Sequence, residues 1–570
     1  MVGEEGGPPG EVRDSAEKAA LANAVRHGGK ADVGAVVGRL LAEFPELRGR
    51  GGKASEFARD AVSKVNAMPL SEQEKLLAKL GGDERQPREG RVGLPPLRSA
   101  VKGETAFRLA PEPSGFMTIG HAMAWTINYL YKEQYGGVLW LRFEDTNPRK
   151  VAPQYYDSFR RGTEWLGIQY DREKSVSDDL EKIYAHGRKL LEMGMAYACS
   201  CDADRVKKLR FAGEACEHRG ETVEKSLRVW EGLLSRKYKE EEAVIRFKGD
   251  MQSPNYELRD SNLFRVIEHP HPLTGTKYTL WPTYDIANAV EDEICGITHV
   301  LRSAEFRTEL QRRLRDALNL RQPEVIQFSR FNFKGAPVSK RLLRPLVEQG
   351  LVSGWDDPRM PTVEGVRRRG IVPQAIREFT LQVGYTKAEH EYDWSILLSL
   401  NRKLLDPVSR RLFFVPDPVT MVVEGAPHRK VTVPFHPTQD LGSRTVDTAG
   451  SFLVPRADLS DMSPGSALRL MDLYNVELAS RGPPFRGKYA GDEVTQGSKK
   501  VQWVSKPGVP VKVLVPGPLF DGEEFDPKSL KETAGVAEEA FAGLAPGDIV
   551  QFPRFGFCRV DSAGTCVLAG

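Results

Sequence analysis

The stretch that most constrains the fold of this chain is 105–143. TAFRLA reads as a short strand, and PEPSG breaks it with two prolines and a glycine. The helix that follows carries Met123, Ile127, Leu130 and Tyr131 on one face and stops at Gly136-Gly137. VLWLRF is the next strand, apolar enough to be buried on both faces. Strand, helix and strand within about forty residues form a βαβ unit, so a parallel sheet follows. Helices are expected again over APQYYDSFRRGTEWLG and DDLEKIYAHGRKLLEMG, before a strand at MAYACS.

With 570 residues, the chain has room for about three to five domains around that unit. Residues 1–98 read as a helical region and linker. Val33, Val36, Val37, Leu40 and Leu41 follow helical spacing, Ser55 is a candidate N-cap for SEFARDAVSKVNAM, and Ser71 opens the capping-box pattern SEQE. GGDERQPREGRVGLPP reads as the linker. From Cys199 to about Leu273 an insertion with strand-like AVIRFKG and LFRVIEH separates the halves of the sheet domain. WPTYDIANAVEDEICGITHVLRSAEF returns to the α/β pattern. Past Lys340 the chain reads as helical to about Leu405. From Asp406 short runs (RLFFV, TMVVE, RKVTV, VQWVS, VKVLV, IVQFP) broken by Pro and Gly read as one or two β-barrels.

Composition excludes several classes. At 40% hydrophobic and 28% charged residues the chain resembles an ordinary soluble protein, and the absence of an eighteen-residue apolar run argues against a membrane span. MVGEEGGPPGEVRD does not have the form of a secretory signal. Six cysteines do not suggest a disulfide scaffold; the clustering of Cys199, Cys201 and Cys216 points to metal and a reducing compartment. A net charge of +3 provides no global positive field, so RNA would have to be held by local patches. The candidates are Arg312-Arg313-x-Arg315 and Arg367-Arg368-Arg369, each weighed against a solvated helix face.

Two short signals carry the chemistry. FRLAPEPSGFMTIGHAMAW joins a strand to a helix and ends its turn in Ile119-Gly120-His121. NFKGAPVSKRLLRPLVEQGLVSGWDDPRMP offers Ser339-Lys340-Arg341 on a loop. Gly115 and Gly120 let a phosphate or adenine approach the backbone, and the helix start offers free N–H groups. Together the segments resemble the HIGH and KMSKS signatures of class I aminoacyl-tRNA synthetases, and the flanking residues narrow the match to the glutamyl/glutaminyl branch, archaeal glutamyl type. Two positions depart from the pattern: Thr118 replaces the first His, and Pro337-Val338 replace Lys-Met.

The resemblance implies a multidomain α/β protein. Its Rossmann-type parallel-sheet catalytic domain spans 99–198 and 274–340, interrupted by an acceptor-stem-binding insertion at 199–273. A helical connector at 341–405 and β-barrel anticodon-binding domains at 406–570 follow. The substrates implied are ATP with Mg²⁺, L-glutamate and tRNA(Glu); whether tRNA(Gln) is also charged stays open, and a cytoplasmic location follows. Pro111, Pro113, Gly115, Thr118, Ile119, Gly120, His121, Ser339, Lys340 and Arg341 fall at ATP-binding positions, with His121 and Lys340 catalytic. Arg108, Glu144, Tyr284, Asn288 and Arg302 match the amino-acid pocket, and Arg359 with Arg367, Arg368 and Arg369 are candidate tRNA phosphate contacts. Cys199-x-Cys201 and Cys216-x-His218 supply four soft ligands for a structural Zn²⁺, as in the zinc-binding insertion of archaeal glutamyl enzymes. Cys295, Cys558 and Cys566 read as small buried hydrophobes. A glutaminyl enzyme and a non-catalytic RNA-binding paralogue are the competing readings. The N-terminal region carries no legible chemistry, and two roles stay open for it: docking another protein or stabilising the catalytic domain.

Overall fold

The computed structural model describes residues 9–26, 28–44, 47, 51–80, 93–303, 307–495 and 498–570. It falls into two compact units, Met1–Val92 and Gly93–Gly570.

The described part of the first unit is built from four helices: α1 (Pro9–Arg26), α2 (Val33–Glu43), α3 (Gly51–Asn66) and α4 (Leu70–Lys79). Its core is alanine-rich, with Ala16, Ala20 and Ala24 of α1 and Ala54 and Ala58 of α3 almost fully buried, and such small side chains let helices approach closely. Val36 and Leu40 of the expected α2 stripe are buried with them. Asp32 caps α2 by accepting the Ala35 N–H at 2.8 Å. Two expected helix starts need correction. Ser55 is not an N-cap: Ala54 extends the buried face of Ala58 back by one turn, and α3 begins at Gly51. Ser71 lies inside α4, whose first turn hangs on the Pro69 carbonyl, the acceptor for the Glu72 and Gln73 N–H groups. Most of the linker, 81–92, lies outside the described residues.

The second unit starts with β1 (Ala106–Leu109), α5 (Ile119–Tyr135), β2 (Val138–Phe143), α6 (Pro153–Trp165) and β3 (Arg172–Ser175). These strands pair in parallel, with Arg108 opposite Trp140 and Trp140 opposite Arg172. After α7 (Leu180–Glu192) the chain leaves that sheet. β4 (Ala196–Cys199), α8 (Ala203–Ala212), α9 (Val223–Leu234), β5 (Val244–Phe247), β6 (Asn262–Val266) and β7 (Leu280–Pro282) follow, and the four strands form an antiparallel sheet in chain order. The MAYACS strand therefore opens the inserted sheet. The chain then returns through α10 (Tyr284–Ile294), β8 (His299–Arg302), α11 (Arg307–Leu318) and β9 (Glu324–Gln327), with β8 parallel to β9. Thr298 donates its N–H to the Ala106 carbonyl at 3.1 Å and accepts the Ala106 N–H on its hydroxyl at 2.8 Å. These bonds set β8 beside β1 and give the order β9-β8-β1-β2-β3. Strand order reverses between β1 and β8, and an open parallel sheet binds ligands at such a switch, off the carboxyl ends of its strands.

Next come β10 (Phe331–Phe333), α12 (Lys340–Glu348), α13 (Val363–Arg369), α14 (Pro373–Val383), β11 (His390–Tyr392) and α15 (Trp394–Leu405). The connector is less continuous than expected. Gly350, Gly354, Pro358 and Pro361 break it after α12, and β11 interrupts it by pairing with β10. The remainder forms two seven-stranded sheets with separate cores. The edge strands of one, Arg410–Arg411 and Phe414–Pro416, are separated only by Leu412 and Phe413. Those of the other, Lys499–Val501 and Val504–Ser505, are separated only by Gln502 and Trp503. A two-residue connection spans roughly 11 Å at most, so each sheet rolls until its edges approach. Among the described residues no helix is long and apolar enough to cross a membrane.

Candidate active site

At the carboxyl end of β1 the chain turns into α5 through Thr118, whose extended backbone marks an N-cap. The Thr118 N–H and hydroxyl approach His121 Nδ1 at 3.1 and 2.9 Å. Nδ1 accepts the backbone N–H, so the proton sits on Nε2 and leaves a neutral donor on the other side of the ring. Burial, with the nearby Lys340 charge, pushes His121 down to about 4. Thr118 at the first HIGH position thus orients the histidine. The turn is closed from outside, because Ile119 donates to Pro361 and Val363 donates to Met117, both at 2.8 Å.

Lys340 stands over this turn. Its Nζ donates to Ser114 Oγ at 2.8 Å, and burial pulls its pKa below the ordinary lysine value against the pull of Glu112. A Cβ at Gly115 would lie 2.7 Å from Lys340 Cδ, so that glycine makes room for the lysine stem. The loop reading of Ser339-Lys340-Arg341 needs correction: Ser339 is the N-cap and Lys340 the first residue of α12. The free N–H groups at this helix start complement an anion, which a plain loop would not supply. Thr118, Gly120, His121, Ser339, Lys340 and Arg341 line one cavity of about 820 Å³. Ile119 is buried and turns its side chain into the core. Pro111 and Pro113 act through their carbonyls, which accept the Glu144 and Ala152 N–H groups at 2.8 and 3.2 Å.

The residues of the expected amino-acid pocket come together at the strand switch. Glu144 and Tyr284 line a second cavity of about 470 Å³ with Glu112, Lys150, Arg265 and Arg307. Behind them lies a buried charge cluster. Asp292 meets Arg108 at 2.7 Å, Arg142 at 2.9 Å and Arg315 at 2.6 Å. Arg142 also pairs with Glu144 at 2.9 Å and donates to Asn288 Oδ1 at 3.0 Å. Burial raises Glu144 against the pull of Arg142 and Arg108. Burial also opposes the Asp292 charge, but the three guanidinia outweigh it and hold Asp292 at about 2. Arg302 is held differently, by Gln311 Oε1 and Thr308 Oγ1, each at 2.6 Å. Its Nε, buried, has no acceptor among the described residues, and burial lowers its pKa despite Tyr284 alongside.

Arg142, Gln311, Thr308 and Ser114 are absent from the sequence reading, which has Arg315 only as part of a basic run. Two signals could have found some of them. An arginine inside an otherwise apolar strand, as in VLWLRF, needs a buried carboxylate. Asn288 and Asp292 are four residues apart and share a helix face.

The basic runs mostly turn inward. Arg315 is spent on Asp292 and Arg313 on Glu309, so Arg312-Arg313-x-Arg315 does not form a phosphate patch. Arg359 is buried in a two-pronged pair with Asp357, both contacts 2.9 Å, which removes it from the phosphate contacts. Arg368 grips Asp561 at 2.8 Å. Arg369 covers the Trp394 ring at 5.6 Å, and burial pushes it down to about 10. Both are half-buried and anchor the connector. Arg367 is exposed.

In the insertion, Cys199, Cys201, Cys216 and His218 place their ligand atoms within 4.8 Å of one another. Metal–sulfur bonds of about 2.3 Å put two sulfurs of a tetrahedron roughly 3.8 Å apart, and Cys199 and Cys216 Sγ are 3.8 Å apart. Arg246 Nη1 lies 3.8 and 3.7 Å from these sulfurs, where it favours thiolates. Ser200 Oγ meets His218 Nε2 at 2.9 Å, leaving Nδ1, 3.3 Å from Cys201 Sγ, to face the cluster. Cys295, Cys558 and Cys566 are buried and unbridged.

Comparison with known proteins identifies the family. The family model described as tRNA synthetases class I (E and Q), catalytic domain, matches residues 104–407. Two models described as the anti-codon binding domain of the same group match residues 409–484 and 500–561. A protein of Cenarchaeum symbiosum (strain A) named glutamate–tRNA ligase is 43% identical over 559 residues, covering 97% of this chain and 98% of that one. Proteins of the same name from Nitrosopumilus maritimus (strain SCM1) and Pyrococcus abyssi (strain GE5 / Orsay) are 39% and 38% identical, covering 98% and 97% of this chain and 99% and 97% of theirs. With a family model matching more than half of the chain and relatives aligned over nearly all of it, the chain belongs to the class I tRNA synthetases of the E and Q group.

Proposed function

We propose that the protein is a glutamate–tRNA ligase. It activates L-glutamate with ATP and Mg²⁺ to glutamyl-adenylate and passes the glutamyl group to the 3′-terminal adenosine of tRNA(Glu), where class I membership implies attack by the 2′-OH. The observation that carries the choice of glutamate is Arg302, a buried guanidinium with neutral partners and an unpartnered Nε among the described residues. A desolvated cation of this kind is compensated by a carboxylate ligand; a neutral amide leaves it uncompensated. Glu144, paired with Arg142, is suited to the substrate ammonium, and Arg108 to a substrate carboxylate. His121 offers its Nε2–H to a phosphate oxygen without adding charge. Lys340 supplies the cation that offsets charge as pyrophosphate leaves.

The same reading gives the remaining parts their roles. The Cys199, Cys201, Cys216 and His218 set holds a structural Zn²⁺ in the acceptor-stem insertion, whose sheet runs from β4 to β7. The rolled sheets of 406–570 read the anticodon, and Arg367 contacts a tRNA phosphate. The location is cytoplasmic, and the N-terminal unit is available to a protein partner.

The test is charging of purified tRNA(Glu) and tRNA(Gln) with each amino acid offered separately. Glutamate on tRNA(Glu), with glutamine on neither, supports the proposal, and tRNA(Gln) reports how relaxed the anticodon reader is. Glutamine accepted in place of glutamate would make the protein a glutaminyl enzyme.

A further inference from the structure

The pocket cluster contains four guanidinia, Arg108, Arg142, Arg302 and Arg315, and three of them share the single carboxylate of Asp292. Arg302 stands apart, although a carboxylate lies close by. Asp285, almost fully buried, accepts the Gln311 amide N–H at 3.0 Å and pairs with Arg307 at 2.6 Å. Gln311, itself 1% exposed, sits between Asp285 and Arg302. Its Nε2 donates to Asp285 and its Oε1 accepts from Arg302, so the two bonds fix the amide orientation. An amide is the one side chain of this length that can donate to a carboxylate on one side and accept from a guanidinium on the other without carrying charge.

We infer that Gln311 is a specificity-determining positioning residue: it holds Arg302 by a neutral contact and insulates it from Asp285, so that the Arg302 charge is reserved for the side-chain carboxylate of the substrate. Thr308 serves the same end from the other side. Its hydroxyl accepts from Arg302 Nη2, and it too is uncharged. The Nε N–H, without an acceptor among the described residues, is a donor open to an incoming anion. This rests on the glutamate–tRNA ligase reading, and it locates the discrimination against glutamine in residues that do not touch the substrate. A carboxylate at either position would neutralise Arg302 and let an amide compete.

The experiment uses two variants, one that moves a charge without changing the total and one that adds a charge. The paired substitution Asp285→Asn with Gln311→Glu exchanges amide and carboxylate and keeps the hydrogen bond between the two side chains. Thr308→Asp brings a carboxylate to the other guanidinium nitrogen by an independent route. Each variant is compared with wild type in aminoacylation, measuring kcat and KM for glutamate and for glutamine. In both variants the ratio of kcat/KM for glutamate to that for glutamine should fall about ten- to a hundredfold, the size of one charge-assisted hydrogen bond. Most of the change should appear as a higher KM for glutamate. Equal losses for both amino acids, with the ratio unchanged, would mean that Gln311 only packs, and would overturn the inference while leaving the ligase reading intact. A wild-type protein that does not charge glutamate would overturn the ligase reading first and this inference with it. If the paired variant does not fold, the ratio measured for Thr308→Asp decides.

Discussion

Asp292→Asn is the sharpest perturbation of the buried cluster. Oδ1 of Asp292 contacts Arg108 at 2.7 Å and Arg142 at 2.9 Å, while Oδ2 contacts Arg315 at 2.6 Å. An asparagine can keep the first two contacts or the third. In either orientation its amide N–H₂ group confronts a guanidinium donor, and the negative charge is lost. The depression of Asp292 to about 2 corresponds to roughly 2–3 kcal/mol of stability at neutral pH. Leaving buried charges without their partner costs about 3–5 kcal/mol, so the second effect sets the scale and the first is its floor. The assay is hydrogen exchange across β1, β2 and α10 in a urea series, which reads the local opening free energy of this body instead of a whole-chain midpoint. The pH dependence has a definite sign. The folded pKa lies below the unfolded value, so the stabilisation is complete above about pH 4 and is lost as pH falls through about 2. The gap between wild type and variant should narrow over that window. A loss below about 1 kcal/mol at pH 7 would refute the claim that Asp292 is the shared counter-ion.

His121, held at about 4, should remain neutral through the physiological range. Because its folded pKa lies below the unfolded value, the stability it contributes is full above pH 6.5 and declines as pH falls toward 4; histidine ¹⁵N chemical shifts over pH 3–8 would test this, and titration near 6.5 would contradict it. Protein purified without added metal should contain about one equivalent of zinc, and Cys216→Ser should lose it with the order of 196–266, read by metal analysis and hydrogen exchange. Arg367→Ala should weaken tRNA binding by a few-fold and flatten its salt dependence without changing stability. Arg359→Ala should instead destabilise by about 3–5 kcal/mol by stranding buried Asp357. Equal effects of the two on the salt slope would show that Arg359 reaches phosphate.

Much of the architecture is written in short-range patterns, and those patterns are legible in the sequence. Strand, turn and helix between Thr105 and Tyr135 follow from apolar spacing and from Pro and Gly placed where the chain must turn. The clustering of Cys199, Cys201, Cys216 and His218 follows from two short turns brought together across one small sheet. The β texture after Asp406 is likewise local alternation. Helix ends are less legible: Ser55 and Ser71 look like caps, but the extent of α3 and α4 is decided by how far their buried faces reach.

Sequence by itself therefore determined the parallel α/β unit, the motif turn, the Cys/His quartet and the strand-rich C-terminal region, because each depends on residues a few positions apart or on local periodicity. Tertiary structure alone decided what every charge is for. Arg108 meets Asp292 across 184 positions and Lys340 meets Ser114 across 226. Arg315, Arg359 and Arg368 resemble solvated or RNA-facing cations in sequence, yet are bound to carboxylates. Arg302, assigned to the pocket by resemblance, is held by an amide and a hydroxyl. Apolar periodicity reveals which side chains leave water; it carries no information about which partner a buried charge finds there, because that pairing is made across the fold.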